Sequence, residues 1–366
     1  MRILGRVTAM AALAISVGAM AAIASDRKID GKGTLKVYFA DVEGGQATLF
    51  VTPLGESLLV DTGWAGFDGR DADRIVALCR QAAVSRIDDV LVTHYHNDHV
   101  GGVAQLAAKI PIGRFIDHGV NREMDDAKTE QSWEAYQKVL ADGKFAHLVV
   151  KPGDVLPVKG MRVEVVSADG EVIGKPVAGG GAGKANPDCA RSALKDPEND
   201  ENDRSVGMLV TFGRLRILDL GDLTWARERP LMCPVNKLGQ VDVYVASHHG
   251  FARSGSDALV DGIAPRVAIM DNGATKGADP SAWEIIENSP RIAGGKGALW
   301  QIHTAVNNDA AHNVPEARIA NPEGPDDAGH SLELTGRKDG SFAVTNGRTG
   351  ETVEYGRPQS PEGAGK

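Results

Sequence analysis

The stretch THYHNDHVGG, residues 93–102, gathers His94, His96, Asp98 and His99 within six positions. Imidazole nitrogen and carboxylate oxygen are donors suited to zinc, and also to manganese or iron. Alternate residues of an extended segment share a face, so His94 and His96 point the same way, and Asp98 and His99 follow on a turn. One such cluster cannot complete two metal sites, so a second set of donors must come from far along the chain. Asp222, in LDLGD, and the pair His248–His249, in ASHHG, are the candidates. Five of the ten histidines fall in these two clusters, each at the end of an apolar run. That concentration predicts a dinuclear site, with Asp222 bridging through its two oxygens.

The elements that must position these residues read as follows. Residues 34–61 form three strands joined by turns, the last ending at Asp61 and a glycine. Residues 71–83 have helical periodicity, with Asp71 or Asp73 near the N-cap. The short buried strand 88–92 runs straight into His94. Helices are expected over 103–110, 125–143, 255–263 and 281–289. Strands are expected over 114–119, 148–168, 205–213, 214–222, 241–248, 266–273 and 298–303, and the last strands at 331–336, 341–346 and 351–356. Two β-then-α halves, each with chemistry at strand ends, point to an α/β fold: a four-layer αββα sandwich. The segment 169–204 is rich in glycine, proline and charge and reads as a long loop that could cover a site.

H-x-H-x-D-H preceded by Asp61-Thr62-Gly63, and followed by Gly221-Asp222 and His248-His249-Gly250, resembles the metallo-β-lactamase superfamily. The order D-V-E-G-G-Q, D-T-G, H-N-D-H-V-G-G, N-D-R-S-V, G-D, H-H-G is most similar to the branch holding the soluble hydrolase domain of DNA-uptake competence proteins. Choline-phosphate esterases resemble the same branch. The resemblance implies His94 and His96 on metal one, Asp98 and His99 on metal two, and Asp222 bridging. His249 completes metal two and His248 contacts substrate or leaving group, although the pair could exchange roles. Asp61 orients a ligand rather than binding metal. One departure concerns metal one. Many members carry a further histidine on a strand before the bridging aspartate, where this chain reads ENDRSV, residues 201–206. Asn202, Asp203 or His118 could supply that donor. His147, His303, His312 and His330 are assigned structural roles.

The implied cofactors are two divalent ions, zinc or alternatively manganese. Such pairs stand about 3.5–4 Å apart and bring the pKa of water held between them towards neutrality. The hydroxide then attacks a phosphoester, as in a phosphodiesterase, with Asp98 and His248 assisting. Lactone or β-lactam hydrolysis is an alternative in the same fold. A metal- or ligand-binding protein with little turnover is an alternative outside the enzyme class.

The N-terminus reads as a signal peptide over residues 1–24, with Arg2 and Arg6 before an apolar run from Met10 to Ile23 and a cleavage site near Ala24. The mature protein, a single domain over residues 25–366, is expected in the periplasm or secreted, with no membrane segment after cleavage. Its core spans 34–275, a C-terminal part over 276–356 completes the second sheet and the pocket rim, and a tail over 357–366 is disordered. Losing Arg2 and Arg6 takes the formal charge from −9 to −11. That disfavours long nucleic acid, which needs a basic groove, and leaves a small or short phosphoester. Cys79 reads as a buried thiol, whereas Cys189 and Cys233 could pair in an oxidising compartment.

Overall fold

The computed structural model describes residues 33–143, 145–322 and 328–357. The signal peptide and nearly all of the tail inferred from sequence lie outside the described residues. Two large sheets face one another. The first has the order Thr352–Tyr355, Phe342–Asn346, Leu332–Gly336, Leu35–Phe39, Thr48–Val51, Ser57–Val60, Ile87–Leu91, Ile112–Asp117, Ala146–Val149. The second runs Ile319–Asn321, Ala298–His303, Val267–Met270, Val243–Val245, Leu215–Asp219, Gly207–Phe212, Arg162–Ala168, Val155–Leu156, with Glu171–Val172 beside Arg162–Ala168. Both sheets are parallel where they feed the histidine clusters and antiparallel towards the other edge.

Alternation along the strands explains the layering. Val37, Phe50, Leu58 and Ile116 of the first sheet meet Val163, Val210, Ile217, Val267 and Trp300 of the second in the central core. The opposite faces are also apolar and take helices. Ile75 and Cys79 of helix Arg70–Gln81, Leu106 of Val103–Ala107 and Tyr136 of Ala127–Ala141 cover the first sheet. Leu231, Leu259 and Ile286, from helices Trp225–Met232, Asp257–Ile263 and Pro280–Glu287, cover the second. Each fully buried side chain of this size contributes roughly 1.5–3 kcal/mol. The result is the αββα sandwich expected from the sequence.

Helix Arg70–Gln81 starts after Gly69 with Asp71 and Asp73 in its first turn, near the N-cap as expected, and the Asp71 carboxylate accepts from the Trp64 N–H at 2.8 Å. Two local details differ from expectation. The sequence reading has no helix over Trp225–Met232, because Pro230 interrupts its pattern. The C-terminal part divides between the sheets: residues 298–321 extend the second, whereas 332–355 return to the first, with Leu35 opposite Gly336. Cys79 is buried and free, and Cys189 and Cys233 form a disulfide. Among the described residues no helix is long and apolar enough to cross a membrane.

Candidate metal centre

The C-terminal ends of the parallel strands of both sheets converge on one spot. Asp61 follows Ser57–Val60 and His94 follows Ile87–Leu91. Asp222 follows Leu215–Asp219, His248 and His249 follow Val243–Val245, and Asp271 follows Val267–Met270. Such ends are where open α/β sheets place ligand sites. The backbone is shaped for close approach. A Cβ on Gly45 would come within 2.4 Å of the Asp98 carbonyl oxygen, whose acceptor already takes the Gln46 N–H at 3.1 Å. His248 and His249 both adopt left-handed conformations, φ 56° and 55°. Two successive non-glycine residues there cost of order 1–3 kcal/mol each, strain that accumulates at functional sites. The effect is to turn both imidazoles towards Asp222.

Four donor atoms form a compact set: Asp98 Oδ2, His99 Nε2, Asp222 Oδ2 and His249 Nε2. His99 Nε2 lies 3.2 Å from Asp222 Oδ2, 3.4 Å from Asp98 Oδ2 and 3.2 Å from His249 Nε2. His249 Nε2 lies 3.2 Å from Asp98 Oδ2 and 3.5 Å from Asp222 Oδ2. Donors bound 2.0–2.2 Å from a tetrahedral cation stand about 3.3–3.6 Å apart, so these separations are close to the edges of one coordination tetrahedron. Asp222 Oδ1 is buried without a hydrogen-bond partner, which leaves it available to a second ion. On the far side His94 Nε2 and His96 Nδ1 are 3.1 Å apart, and His94 Nε2 is 4.0 Å from Asp222 Oδ2. The residues therefore fit one cation among Asp98, His99, Asp222 and His249, with the His94–His96 pair beside them as further donors.

Outer contacts fix the rings. Asp61 is fully buried and accepts from Thr93 N at 2.8 Å, Thr93 Oγ1 at 2.6 Å and His99 Nδ1 at 2.7 Å. That last bond places the His99 proton on Nδ1 and the lone pair of Nε2 towards the donor set. His96 Nε2 meets Glu123 Oε2 at 3.0 Å, which likewise turns Nδ1 inward. His248 Nδ1 lies 3.3 Å from the Ser254 hydroxyl, whereas His249 Nδ1, though 3.3 Å from Asp271 Oδ1, makes no hydrogen bond there. His248 Nε2 is 3.3 Å from Asp222 Oδ2.

The electrostatics favour positive charge. Burial opposes charging His99, yet the carboxylates of Asp222, Asp98 and Asp61 outweigh it and hold that pKa well above the usual histidine value. His249 goes up to about 10, where Asp222 and Asp271 overcome burial and the nearby Lys276. Burial pushes Asp222 upward, but His248, His99 and His249 hold it well below the carboxylate range. His248 differs: burial takes it down to about 3, so its ring is neutral, and Nε2, which faces the Asp222 carboxylate, carries the proton and is the donor.

The three further donors named for metal one each have a neighbour, although His118 Nδ1 and Asn202 Oδ1 are buried without a hydrogen-bond partner. His118 Nε2 pairs with Glu201 Oε2 at 2.9 Å. Asn202 donates to Asp200 at 2.9 Å, and Asp203 takes the Thr224 hydroxyl at 2.5 Å and the Asn199 N–H at 3.1 Å. The strand start that follows brings Ser205 instead, its hydroxyl 3.5 Å from His94 Nδ1 and accepting the Asp222 N–H at 3.2 Å. Glu123, Asp271, Ser205 and Lys276 had no assigned role from sequence; only Asp271 carries the strand-end signature that marks Asp61.

The 169–204 segment is tied down, not free. Gly179–Gly183 packs on Arg216 and Gln240, at the end of strand Leu215–Asp219 remote from Asp222. Nearer the site, the Lys195 ammonium sits 3.9 Å over the Trp225 ring and donates to the Ala252 carbonyl at 2.9 Å, and Arg253 pairs with Glu198. Trp225 thus supports this strap rather than lining the donor set.

Residues 40–184 match the family model described as the metallo-beta-lactamase superfamily. Recombination protein 2 of Haemophilus influenzae is 25% identical over 244 residues, 66% of this chain and 25% of that protein. A hydroxyacylglutathione hydrolase of Stenotrophomonas maltophilia is 35% identical over 99 residues, 27% of this chain and 34% of that one. The matched parts thus span only a quarter to a third of those relatives' lengths. Among solved structures, the metallo-beta-lactamase fold protein YhfI of Bacillus subtilis aligns with 74% of this chain and 96% of its own, at 14% identity and a TM-score of 0.46.

Proposed function

We propose that this chain, which carries the metallo-β-lactamase superfamily sequence over residues 40–184 within an αββα sandwich, is a dinuclear metal-dependent hydrolase acting on small phosphoesters. The observation that carries the reading is the tetrahedral spacing of Asp98, His99, Asp222 and His249 beside the His94–His96 pair. When bound, two divalent cations supply Lewis acidity and a nucleophilic water at neutral pH. The chain's own residues do the rest. Asp61 and Glu123 hold the tautomers of His99 and His96. Asp222 joins the two halves of the site. The buried Asp98 carboxylate is placed to orient the attacking water, and the neutral His248 ring to hold a substrate oxygen.

The phosphoester class rests on the motif order, which resembles that of the competence-protein hydrolase branch. A formal charge of −9 favours a small ester over a long polyanion. Zinc is the proposed metal, from the nitrogen-rich donors, and export from the N-terminal sequence. A second reading, thioester hydrolysis, is favoured by the resemblance of a 99-residue stretch to hydroxyacylglutathione hydrolases. The test is one panel on zinc- or manganese-loaded protein: bis(4-nitrophenyl) phosphate, 4-nitrophenyl phosphate, S-lactoylglutathione and a chromogenic cephalosporin. The proposal expects a phosphoester to give the highest kcat/KM. Fastest turnover of the thioester would install the second reading, and two bound metals with no turnover would leave a binding protein.

A further inference from the structure

Lys276 lies outside every motif, yet its ammonium hydrogen-bonds Asp98 Oδ2, one of the four clustered donors. The same nitrogen stands 4.7 Å above the ring centre of Trp64. The side chain is only about a quarter exposed, at 26%. Its backbone is held rigidly: Gly273 N–H donates to the Lys276 carbonyl at 2.9 Å, Ala278 N–H to the His249 carbonyl at 2.8 Å, and Asp279 N–H to the Gly250 carbonyl at 2.8 Å. A second tie joins Val306 N–H to the Ala274 carbonyl at 2.9 Å. The turn carrying Lys276 is thus clamped to the turn carrying His249. The opposite wall is equally fixed, since Trp64 N–H is anchored on Asp71.

A cation placed this way has two readings. It could serve only to neutralise carboxylates. Yet Asp98 is already served by His99 and His249, and a flexible ammonium is a poor choice for a merely structural pair that must also share its carboxylate with a metal. Its seat beside an aromatic face, partly open to solvent, suits a group that meets an incoming ligand.

We infer that Lys276 and Trp64 form an anion subsite at the edge of the centre, with Lys276 a specificity-determining residue for substrates that carry negative charge next to the scissile bond. The inference rests on the hydrolase reading above and narrows it. The ammonium pairs with a non-bridging oxygen of a phosphate or with a carboxylate, and Trp64 covers the adjoining apolar portion. Neutral esters gain nothing from the lysine.

The test compares metal-loaded wild type with Lys276→Met and Lys276→Arg, using inorganic phosphate as probe in calorimetry. Metal content is measured on every sample. The expected result is phosphate affinity reduced at least tenfold in Lys276→Met and largely kept in Lys276→Arg, with metal content unchanged. In kinetics, kcat/KM for bis(4-nitrophenyl) phosphate falls by a similar factor, while that for 4-nitrophenyl acetate stays within twofold. Unchanged phosphate affinity in Lys276→Met overturns the inference. So does loss of metal from that variant, which would make the lysine a support of the donor set. If wild type binds metals but hydrolyses no ester, the hydrolase reading fails, while the phosphate titration still decides the subsite.

Discussion

Replacing Asp61 with asparagine changes one buried oxygen to an amide and nothing in size, and its effect follows from three hydrogen bonds. Asp61 accepts from Thr93 N, Thr93 Oγ1 and His99 Nδ1. Asparagine keeps one acceptor, which Thr93 N retains. Its amide then faces Thr93 Oγ1 and His99 Nδ1 as a donor. The imidazole meets that donor by moving its proton to Nε2, which removes the lone pair directed at Asp98, Asp222 and His249. Losing an orienting partner of this kind costs 10- to 100-fold in metal affinity, about 1.4–2.8 kcal/mol. The step that uses His99 should feel it most, since His96 is aligned by Glu123 and His94 reaches Asp61 only indirectly, through Thr93 Oγ1 3.0 Å from its Nδ1. A competition titration with a chromophoric chelator, run beside a thermal melt, separates metal loss from unfolding. The expected outcome is one weakened binding step, the other within about threefold, in a folded protein. Both steps unchanged would refute the tautomer argument, and both equally weakened would mean that Asp61 supports the whole region rather than His99.

Other perturbations give distinct signatures. Gly277 has φ +75°, and a Cβ there would come within 2.2 Å of the His249 carbonyl oxygen, so Gly277→Ala should lose about 2–4 kcal/mol in urea unfolding and weaken metal binding. The Cys189–Cys233 disulfide closes a sequence separation of 44 residues, and the double serine variant should lose up to about 4 kcal/mol, seen as a lower urea midpoint that reductant no longer changes. Glu228 is wholly buried, accepts the Gly255 and Ser256 N–H groups, and burial pushes its pKa from 4.5 to about 7. Its folded value lies above its unfolded one, so there is no penalty below about pH 4.5 and stability is lost as pH rises through 7, by roughly 3 kcal/mol in all. Unfolding free energies between about pH 5 and pH 8 should therefore fall less steeply in Glu228→Gln than in wild type.

The histidine clusters were legible because chemistry and periodicity coincide: buried strands end where the donors begin, as at Val92-Thr93-His94 and Val245–His249. The layer order was legible for the same reason. Glu123 was not, since nothing in NREMDD marks it; it reaches His96 because Ile112–Asp117 lies beside Ile87–Leu91 in the sheet. Lys276 depends likewise on strand adjacency in the second sheet. Asn202 and Asp203 stood at the right place in sequence, but their short side chains satisfy the turn ahead of strand Gly207–Phe212. The return of 332–355 to the first sheet was hidden because its pairing with Leu35–Phe39 is antiparallel and remote, and strand patterns carry no label for their partner.

The central claim is a pair of metals bridged by Asp222, and elemental analysis of purified protein tests it most directly. The account predicts about two zinc or manganese ions per chain, falling to one or fewer in Asp222→Ala with the fold intact. A single ion or none, unchanged by that substitution, would contradict it.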